Sequence, residues 1–458
     1  MKDKKSNLKA RLALIILTFV ILCAFWVLFL RLEGEKPNIE AETPVTALRA
    51  SQEISFTASD RKSGLRNILI SLIKDGKEVT LYEEKFPGVL FVGGSVNNTS
   101  FRVNIQPKEL GMTDGKAILR TVVKDYSWRG WFHGNAALDE KEIIIDTQPP
   151  AIHILTKAHN ISQGGAGLLI YRLSEPCPTS GVYIGEDYFP GHSGYFKDAN
   201  ILLCFFALDY KKDTENKIFA QATDSAGNSS KAGFPYYIKR KSFKRDTINI
   251  SDNFLNWKLP EFESEISPGA DASLKEKFIA VNQNLRQTSY QKVSEVVSKT
   301  DPVLYWEGPF LRLPKSAPRA GFADNRTYKY NGEIIDNQVH LGVDLASLAH
   351  SPVPASNKGK VVLTESVGIY GKTVIIDHGF GLFSMYAHLS SISVNVGQIV
   401  LKGQNIGETG MTGLAGGDHL HFSMIVNKTF VNPIEWWDDI WIKNNISSKI
   451  NDLRSSFM

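Results

Sequence analysis

The sequence is poor in cysteine. Three cysteines occur in 458 residues, and Cys23 lies inside a long apolar run near the N-terminus. The other two, Cys177 and Cys204, do not lie near a cysteine pair with metal-ligand spacing, so nothing indicates a cysteine-based metal site. In an oxidising compartment two cysteines form a disulfide only if their Cα atoms approach within about 7 Å. The sequence leaves open whether these two pair or are separately buried thiols.

The chain also lacks an excess of basic residues outside its N-terminus. Six of the 52 basic and one of the 48 acidic residues lie within residues 1–31, which leaves 46 basic and 47 acidic residues in the remainder. This balance disfavours a nucleic-acid-binding protein, and we expect no nucleic-acid partner. An apolar fraction of 43% and a charged fraction of 22% are typical of folded globular protein, and the length predicts two to four domains.

Charge is absent from residues 12–30, a run of 19 residues close to the length that crosses a bilayer as a helix. Basic residues precede this run, so residues 1–11 should stay in the cytoplasm and the rest should lie outside. A cleaved signal peptide is the alternative, but its apolar region is shorter and ends in a small-x-small site, which is missing here. We predict a single-pass signal anchor in the cytoplasmic (inner) membrane, with the bulk of the chain extracytoplasmic or periplasmic.

From about residue 43 to 240 the chain reads as short strands separated by turns. Ile54, Phe56 and Ala58 alternate with polar residues, and Asp75-Gly76 is a typical two-residue hairpin turn. A short internal sequence repeat relates Asp125 to Asp224, 99 positions later. This separation is about the length of one immunoglobulin-like sandwich. The motifs Asp146-Thr-Gln-Pro-Pro150 and Asp224-Ser-Ala-Gly-Asn228 resemble those of bacterial extracytoplasmic immunoglobulin-like repeats. We predict two such domains, at 43–148 and 149–240.

In residues 241–300 the spacing of apolar residues changes to that of a helix, which predicts a helical linker. Ser273 and Glu276 have capping-box spacing, and an apolar stripe follows at Leu274, Phe278, Val281 and Leu285. This stripe would either recruit a partner helix or pack on an adjacent domain.

Histidine is concentrated near the C-terminus, where six of the ten histidines fall between His340 and His421. On a strand, residues two or four apart share a face, so His340 pairs with Asp344, and His419 with His421. The helical zinc motif His-Glu-x-x-His is absent. Imidazoles and a carboxylate suit zinc, which in catalytic sites typically takes three protein ligands. With His388, five candidates exceed that number, and a hydrolase needs such surplus groups for proton transfer.

Residues of about 305–435 resemble the lysostaphin and LytM type of zinc metallopeptidase, which cuts peptide bridges of bacterial peptidoglycan. The matching pieces follow the family's order and spacing: His340-Leu-Gly-Val-Asp344, Tyr370-Gly-Lys372 to His378-Gly379, Tyr386-Ala-His388-Leu389, Val396 to Gly407, and Thr412-Gly413 to His419-Leu-His421-Phe422. The resemblance covers under a third of the chain. One departure is Asp418, where the family commonly has proline.

The resemblance implies one zinc ion held by His340, Asp344 and His421, with His388 and His419 as unliganded catalytic histidines. It also places Asp324, Arg326 and Tyr328 near the cleft. His350 and His378 are expected to be structural. The implied fold of residues 301–436 is an antiparallel β peptidase domain of the duplicated hybrid motif, followed by a tail at 437–458. The whole chain is therefore predicted to be mainly β, with an anchor helix, two immunoglobulin-like sandwiches, a helical linker and the peptidase.

These expectations together indicate a membrane-anchored zinc endopeptidase that hydrolyses peptide crosslinks of peptidoglycan during cell-wall remodelling. The predicted partners are peptidoglycan stem peptides and, through residues 12–30, the membrane; the immunoglobulin-like domains are candidates for binding an envelope protein. Two alternatives stay open: a catalytically silent or latent activator or scaffold of another wall hydrolase, and a structural envelope protein. Relatives that lose activity typically lose ligands, whereas all five active-site positions are filled here.

Overall fold

Residues 2–89, 91–213, 215–267 and 271–457 are described by a computed structural model of the chain. The fold is mainly β, as predicted. It divides into two units: unit 1 consists of residues 1–149 and 223–228, and unit 2 of residues 150–222 and 229–458. Each is described in turn.

Unit 1 begins with the helix α1 (Lys2–Arg31). Its apolar segment, Leu8–Phe29, is the one helical segment in the described residues with the length and apolar composition to cross a membrane. Such a segment fits both a membrane anchor and a signal sequence. The single-pass topology therefore stays a prediction.

The rest of unit 1 is a two-layer β structure. A three-stranded sheet has the order β1-β3-β8, a five-stranded sheet has the order β2-β10-β9-β4-β5, and β6 pairs with β7. Side chains from both large sheets form one hydrophobic cluster, which is the arrangement of a β-sandwich. The strands are β1 (Asn38–Ala41), β2 (Ala47–Leu48), β3 (Gln52–Ser59), β4 (Leu65–Lys74), β5 (Lys77–Lys85), β6 (Gly88–Val89), β7 (Gly93–Gly94), β8 (Asn98–Ile105), β9 (Gly115–Asp125) and β10 (Ala136–Ile145), with a short helical turn α2 (Arg129–Phe132).

Local sequence signals for this sandwich are confirmed. The alternating residues Ile54, Phe56 and Ala58 of β3 are all buried. The hairpin between β4 and β5 turns at Asp75-Gly76, where both residues have positive φ, as a type I′ turn requires.

The short internal sequence repeat around Asp125 and Asp224 also has a repeated local structure. The carboxylate of Asp125 accepts a hydrogen bond from the Ser127 N–H and another from the side-chain amide of Asn135. Asp224 accepts the equivalent bonds from the Ala226 N–H and the side-chain amide of Asn228. Both aspartates therefore fix a loop in the same way. The immunoglobulin-like assignment of the two repeats stays a prediction.

Unit 2 begins with a second set of short strands. They form sheets with the orders β11-β13-β16, β15-β14-β17-β18 and β12-β19. The bounds are β11 (Ile152–Ile154), β12 (Asn160–Ser162), β13 (Ala166–Leu173), β14 (Thr179–Ile184), β15 (Asp187–Pro190), β16 (Ile201–Ala207), β17 (Ile218–Thr223), β18 (Ser229–Gly233) and β19 (Tyr237–Lys239). Among the described residues no disulfide joins Cys177 to Cys204: the Cys177 thiol donates to the Glu175 carbonyl and the buried Cys204 thiol to the Phe189 carbonyl.

The segment predicted as a helical linker contains helices and one strand. The strand β20 (Arg245–Ile250) pairs in parallel with a strand of the C-terminal region. The predicted capping box is present, because Ser273 accepts from the Glu276 N–H and Glu276 accepts from the Ser273 N–H. The apolar stripe of this helix packs on its own chain. The helices are α3 (Asp252–Lys258), a 3₁₀ turn (Leu259–Phe262), α4 (Leu274–Ile279), a π-helical turn (Ala280–Leu285) and α5 (Arg286–Val296).

The C-terminal region is an antiparallel sheet with the order β21-β24-β32-β28-β27-β26-β30, to which β33 adds at β32. Smaller sheets, β20-β22-β23 and β25-β31-β29, flank it. The strands are β21 (Ala317–Ala320), β22 (Asp324–Tyr330), β23 (Glu333–His340), β24 (Val343–Ala346), β25 (Pro352–Pro354), β26 (Gly359–Ser366), β27 (Lys372–Gly379), β28 (Leu382–Leu389), β29 (Ser391–Ile392), β30 (Ile399–Val400), β31 (Asn405–Glu408), β32 (Leu420–Val426) and β33 (Thr429–Val431); a 3₁₀ turn (Gly368–Tyr370) precedes β27.

The predicted C-terminal tail, 437–458, is helical, and its buried residues Ile442, Ile446 and Ile450 join the core of unit 2. Just before the tail, the fully buried Trp436 packs against both Phe205 of β16 and Trp306. Nearby, the carboxylate of Glu435 accepts a hydrogen bond from the Ala166 N–H of β13. One hydrophobic cluster therefore runs from the second set of strands into the C-terminal sheet. The helices are α6 (Pro433–Trp437), α7 (Asp439–Ile442), a π-helical turn (Lys443–Ser447) and α8 (Ser448–Phe457).

Candidate metal centre

Strand register brings three of the predicted site residues together. His340 is the last residue of β23, and Asp344 lies two residues into the next strand, β24. In the antiparallel pairing of β24 with β32, Asp344 is directly opposite His421. Residues 77 positions apart thus become neighbours on one face of the sheet.

The three side chains converge on one point. His340 Nε2 and His421 Nδ1 are 2.9 Å apart, and each lies 2.9 Å from Asp344 Oδ1. All three residues are buried. Two imidazole nitrogens and a carboxylate oxygen are donor atoms that zinc accepts in catalytic sites, where three protein ligands leave one position open. This donor set therefore fits a zinc ion.

Hydrogen bonds outside this set fix the orientation of both imidazole rings. The Nδ1 of His340 lies 2.8 Å from the Gly321 carbonyl oxygen, which can only accept, so Nδ1 carries the proton and Nε2 is free to bind metal. His421 Nε2 lies 3.0 Å from Ser423 Oγ, whose hydroxyl donates to the Leu341 carbonyl. That bond leaves the His421 Nδ1 free in turn. Such outer partners commonly orient metal ligands.

The carboxylate of Asp344 is held in its ionised form. Burial opposes ionisation, but whenever the facing nitrogens of the imidazoles carry a proton, the charge and hydrogen bond of His340, with further bonds from His419 and His421, hold the pKa of Asp344 well below its usual range. Arg326 adds an ion pair, with its guanidinium nitrogen 3.0 Å from Asp344 Oδ2. The second oxygen of the carboxylate is thus engaged, while Oδ1 faces the two imidazoles.

His388 and His419 lie beside the three converging residues. Their ring centroids are 4.9 Å apart, and His419 Nε2 is 3.5 Å from Asp344 Oδ1. Each Nδ1 is 2.8 Å from a backbone carbonyl, that of Thr412 for His388 and that of Gly417 for His419. Both rings therefore carry a proton on Nδ1 and present Nε2 to the site.

The environments of these two histidines differ. Burial and the neighbouring charges of His419 and His421 hold the pKa of His388 well below its usual value. Burial also acts against protonation of His419, but the hydrogen bond and charge of Asp344 outweigh it and raise the pKa of His419. His388 also has a φ of 62°, a conformation uncommon outside glycine and often found at functional sites.

The other residues predicted near the site have structural contacts. Asp324 accepts from the Gly321 N–H, and Tyr328 packs on Phe278. His378 is buried and bonded to the Lys358 carbonyl and Ser384 hydroxyl. Asp418, at the position where the family commonly has proline, accepts a hydrogen bond from the His350 N–H.

Two further residues that shape the site, Ser423 and Gly342, were not predicted from the sequence. Ser423 continues the alternation of His419 and His421 along one face of β32, so the two-residue period was an available signal. Gly342 is needed for space. A Cβ atom at that position would lie 2.6 Å from His421 Cε1 and Nε2 and from Ser423 Oγ.

Gly342→Ala should therefore weaken metal binding. Its backbone lies in a region open to alanine, so the expected cause is steric displacement of the His421 ring. We expect zinc affinity to fall by about 10- to 100-fold, as for loss of an outer-shell partner. Competition with a zinc indicator would measure this. The matched control is Gly416→Ala, since no atom lies within 4 Å of a Cβ there; equal affinities of the two variants would contradict the steric explanation.

The region that contains these residues is similar to known proteins. Residues 338–433 match the family model described as Peptidase family M23. The C-terminal part of the chain therefore contains a peptidase M23 domain, as its resemblance to the lysostaphin and LytM type predicted.

Particular relatives share this region. Peptidoglycan DD-endopeptidase ShyA of Vibrio cholerae is 42% identical over 96 residues, which are 21% of this chain and 22% of that protein. DD-carboxypeptidase/endopeptidase Mpg of Neisseria meningitidis is 39% identical over 97 residues, again 21% of this chain and 22% of the relative. The chain thus spans about a fifth of the length of these curated relatives. Among solved structures, the catalytic domain of lysostaphin from Staphylococcus simulans is 29% identical, with coverage of 29% of this chain and 98% of that domain and a TM-score of 0.24.

Proposed function

We propose that this protein is a membrane-anchored, zinc-dependent endopeptidase that hydrolyses peptide crosslinks of bacterial peptidoglycan. The observation that carries the proposal is the convergence of His340 Nε2, Asp344 Oδ1 and His421 Nδ1 within 2.9 Å of one another. Two further histidines beside them supply the proton-transfer groups that a hydrolase needs.

In this proposal His340, Asp344 and His421 hold one zinc ion. When bound, zinc supplies Lewis-acid chemistry, polarising a carbonyl group and lowering the pKa of a water molecule toward about 7. Arg326 orients the Asp344 carboxylate through its ion pair. The Gly321 carbonyl and Ser423 hydroxyl hold the two imidazoles in the tautomers that ligation requires.

His388 and His419 move the protons. Because both donate Nδ1–H to a backbone carbonyl, each has Nε2 available in the site. One would accept a proton from the attacking water at Nε2. The other, protonated on both ring nitrogens, would donate its Nε2–H to the oxyanion of the tetrahedral intermediate, and the proton taken from the water would then pass to the leaving amine. The contacts support both roles for the pair, and either histidine could take either role.

The proposed scissile bond is a D,D-peptide crosslink between stem peptides. The support comes from the activities of the relatives, which are a peptidoglycan DD-endopeptidase and a DD-carboxypeptidase/endopeptidase. The apolar segment Leu8–Phe29 would anchor the chain in the cytoplasmic membrane, with the M23 domain on the side of the wall.

Digestion of purified peptidoglycan by the full chain in detergent tests the proposal. Released fragments are analysed by mass spectrometry for the protein as purified, after chelator treatment, and after zinc is restored. We expect crosslinked dimers to be converted to monomers, the chelator to stop this, and zinc to recover it. Undiminished cleavage by metal-free protein, or none by protein loaded with one zinc ion, would contradict the proposal.

A further inference from the structure

Three buried carboxylates meet in unit 1, far along the sequence from the M23 domain. Glu33 lies between α1 and β1, Asp60 directly follows β3, and Asp125 ends β9. One carboxylate oxygen from each lies within 4.8 Å of the other two. The three residues are 6%, 3% and 0% exposed, respectively. The cluster therefore concentrates negative charge where water has little access.

Hydrogen-bond donors stabilise the carboxylates of the two aspartates but not that of Glu33. Asp60 Oδ1 accepts from the N–H groups of Lys62 and Gly64, and Asp125 Oδ1 accepts from the Asn135 N–H. Ser63 lies close to Glu33, but neither carboxylate oxygen of Glu33 has a hydrogen-bond donor in good geometry, although both are buried. A buried carboxylate without donors is costly unless something else compensates its charge.

The protein's own cationic side chains compensate the negative charge of Glu33 poorly. Lys62 is the ion-pair partner of Glu33, with Nζ 3.9 Å from Oε2, but its side chain is half exposed and also lies 3.5 Å from the exposed Glu35. Burial, with the charges of Asp60 and Asp125, raises the pKa of Glu33, and the interaction with Ser63 offsets only part of this rise. Burial likewise raises the pKa of Asp125, with a further contribution from Asp60. Both shifts indicate a site that is short of positive charge.

We propose that Glu33, Asp60 and Asp125 bind a calcium ion. Three carboxylates form an all-oxygen donor set, which suits a hard cation rather than zinc. Calcium accepts irregular coordination by carboxylates, whereas magnesium demands near-octahedral geometry and usually keeps several waters. The calcium ion supplies the positive charge that compensates the Glu33 carboxylate. It also links the segment after α1 to two loops of the sandwich. This site is independent of the proposed peptidase chemistry.

The test compares thermal unfolding of the full chain in detergent, with zinc held constant, as calcium is raised from zero to about 10 mM, a range that covers dissociation constants of about 0.1 to 1 mM. We expect calcium to raise the unfolding temperature of the wild type. Glu33→Gln should be more stable than wild type without calcium, because it removes an uncompensated buried charge, and it should not respond to the ion. The matched control is Glu35→Gln, which removes an exposed carboxylate two residues away and should keep the calcium response.

Equilibrium dialysis with radioactive calcium gives a second readout that does not depend on unfolding. At about 1 mM free calcium, we expect fewer bound calcium ions per chain in Glu33→Gln than in wild type or Glu35→Gln. Three results would overturn the proposal: a wild type that does not respond to calcium, a Glu33→Gln variant that responds as fully as wild type, or a magnesium response equal to that of calcium. Peptidoglycan cleavage is measured in parallel, and its loss or survival leaves this assignment unaffected.

Discussion

His421→Ala is expected to lose zinc and peptidoglycan cleavage together. Its Nδ1 is one of three donor atoms that lie 2.9 Å from one another, and the remaining two, His340 Nε2 and Asp344 Oδ1, would be left with no third ligand. Loss of an outer-shell partner typically costs about 10- to 100-fold in metal affinity, so loss of a ligand should exceed that. Zinc content after dialysis, measured by mass spectrometry, and cleavage of crosslinked dimers give the two readouts.

Ser423→Ala is the graded comparison for this variant. It removes the hydroxyl that contacts His421 Nε2 but keeps all three donor atoms. We expect a loss of zinc affinity in the 10- to 100-fold range, recoverable at high zinc, whereas His421→Ala should not recover. A His421→Ala protein that retains one zinc ion per chain and full cleavage would disprove the proposed ligand set.

Removal of His388 or His419 should have the opposite signature, which is loss of cleavage with zinc retained. Neither ring belongs to the three converging donors, and each presents Nε2 for proton transfer. General acid–base catalysis contributes about 10²- to 10⁴-fold, so His388→Ala and His419→Ala should each lose at least about 100-fold in kcat/KM. The double variant should lose much less than the product of the two single losses, because the histidines act in one sequence of proton transfers.

His153→Ala is the control for these variants. This histidine is exposed on β11 and lies outside the M23 domain, so cleavage and zinc content should match wild type. Loss of zinc in both His388→Ala and His419→Ala would show that the rings are ligands rather than proton-transfer groups. Unchanged cleavage in both would exclude them from the reaction.

The candidate site was predictable from sequence to the extent that it follows short-range strand geometry. The two-residue spacing correctly predicts that His419, directly before β32, and His421, on β32, lie close together. The prediction that His340 and Asp344 share one face of a single strand was wrong, because the chain breaks at Leu341-Gly342, so that His340 ends β23 and Asp344 lies on β24. The step that unites the pairs is the register of β24 against β32, which no local pattern encodes. Its prediction rested on resemblance to a known family.

The same distinction applies to the fold. The β4–β5 hairpin was predictable because its turn and both strands are contiguous in sequence. Strand β20 was not predicted, because it is short and pairs with β22, with Ile248 opposite Tyr328 some 80 positions later. Exposed and half-buried residues predominate in β20, so it carries little hydrophobic signal of its own.

The hydrophobic cluster shared by β16 and the C-terminal helices limits how the M23 domain can be transplanted. A fragment cut near residue 300 would carry Trp306 and Trp436 without Phe205, and Glu435 without the Ala166 N–H. It would thereby expose apolar surface and leave a buried carboxylate without its donor. In a chimeric protein, the boundary of the transferred segment should therefore lie near Pro149-Pro150. The second set of strands and the C-terminal sheet are then transferred together.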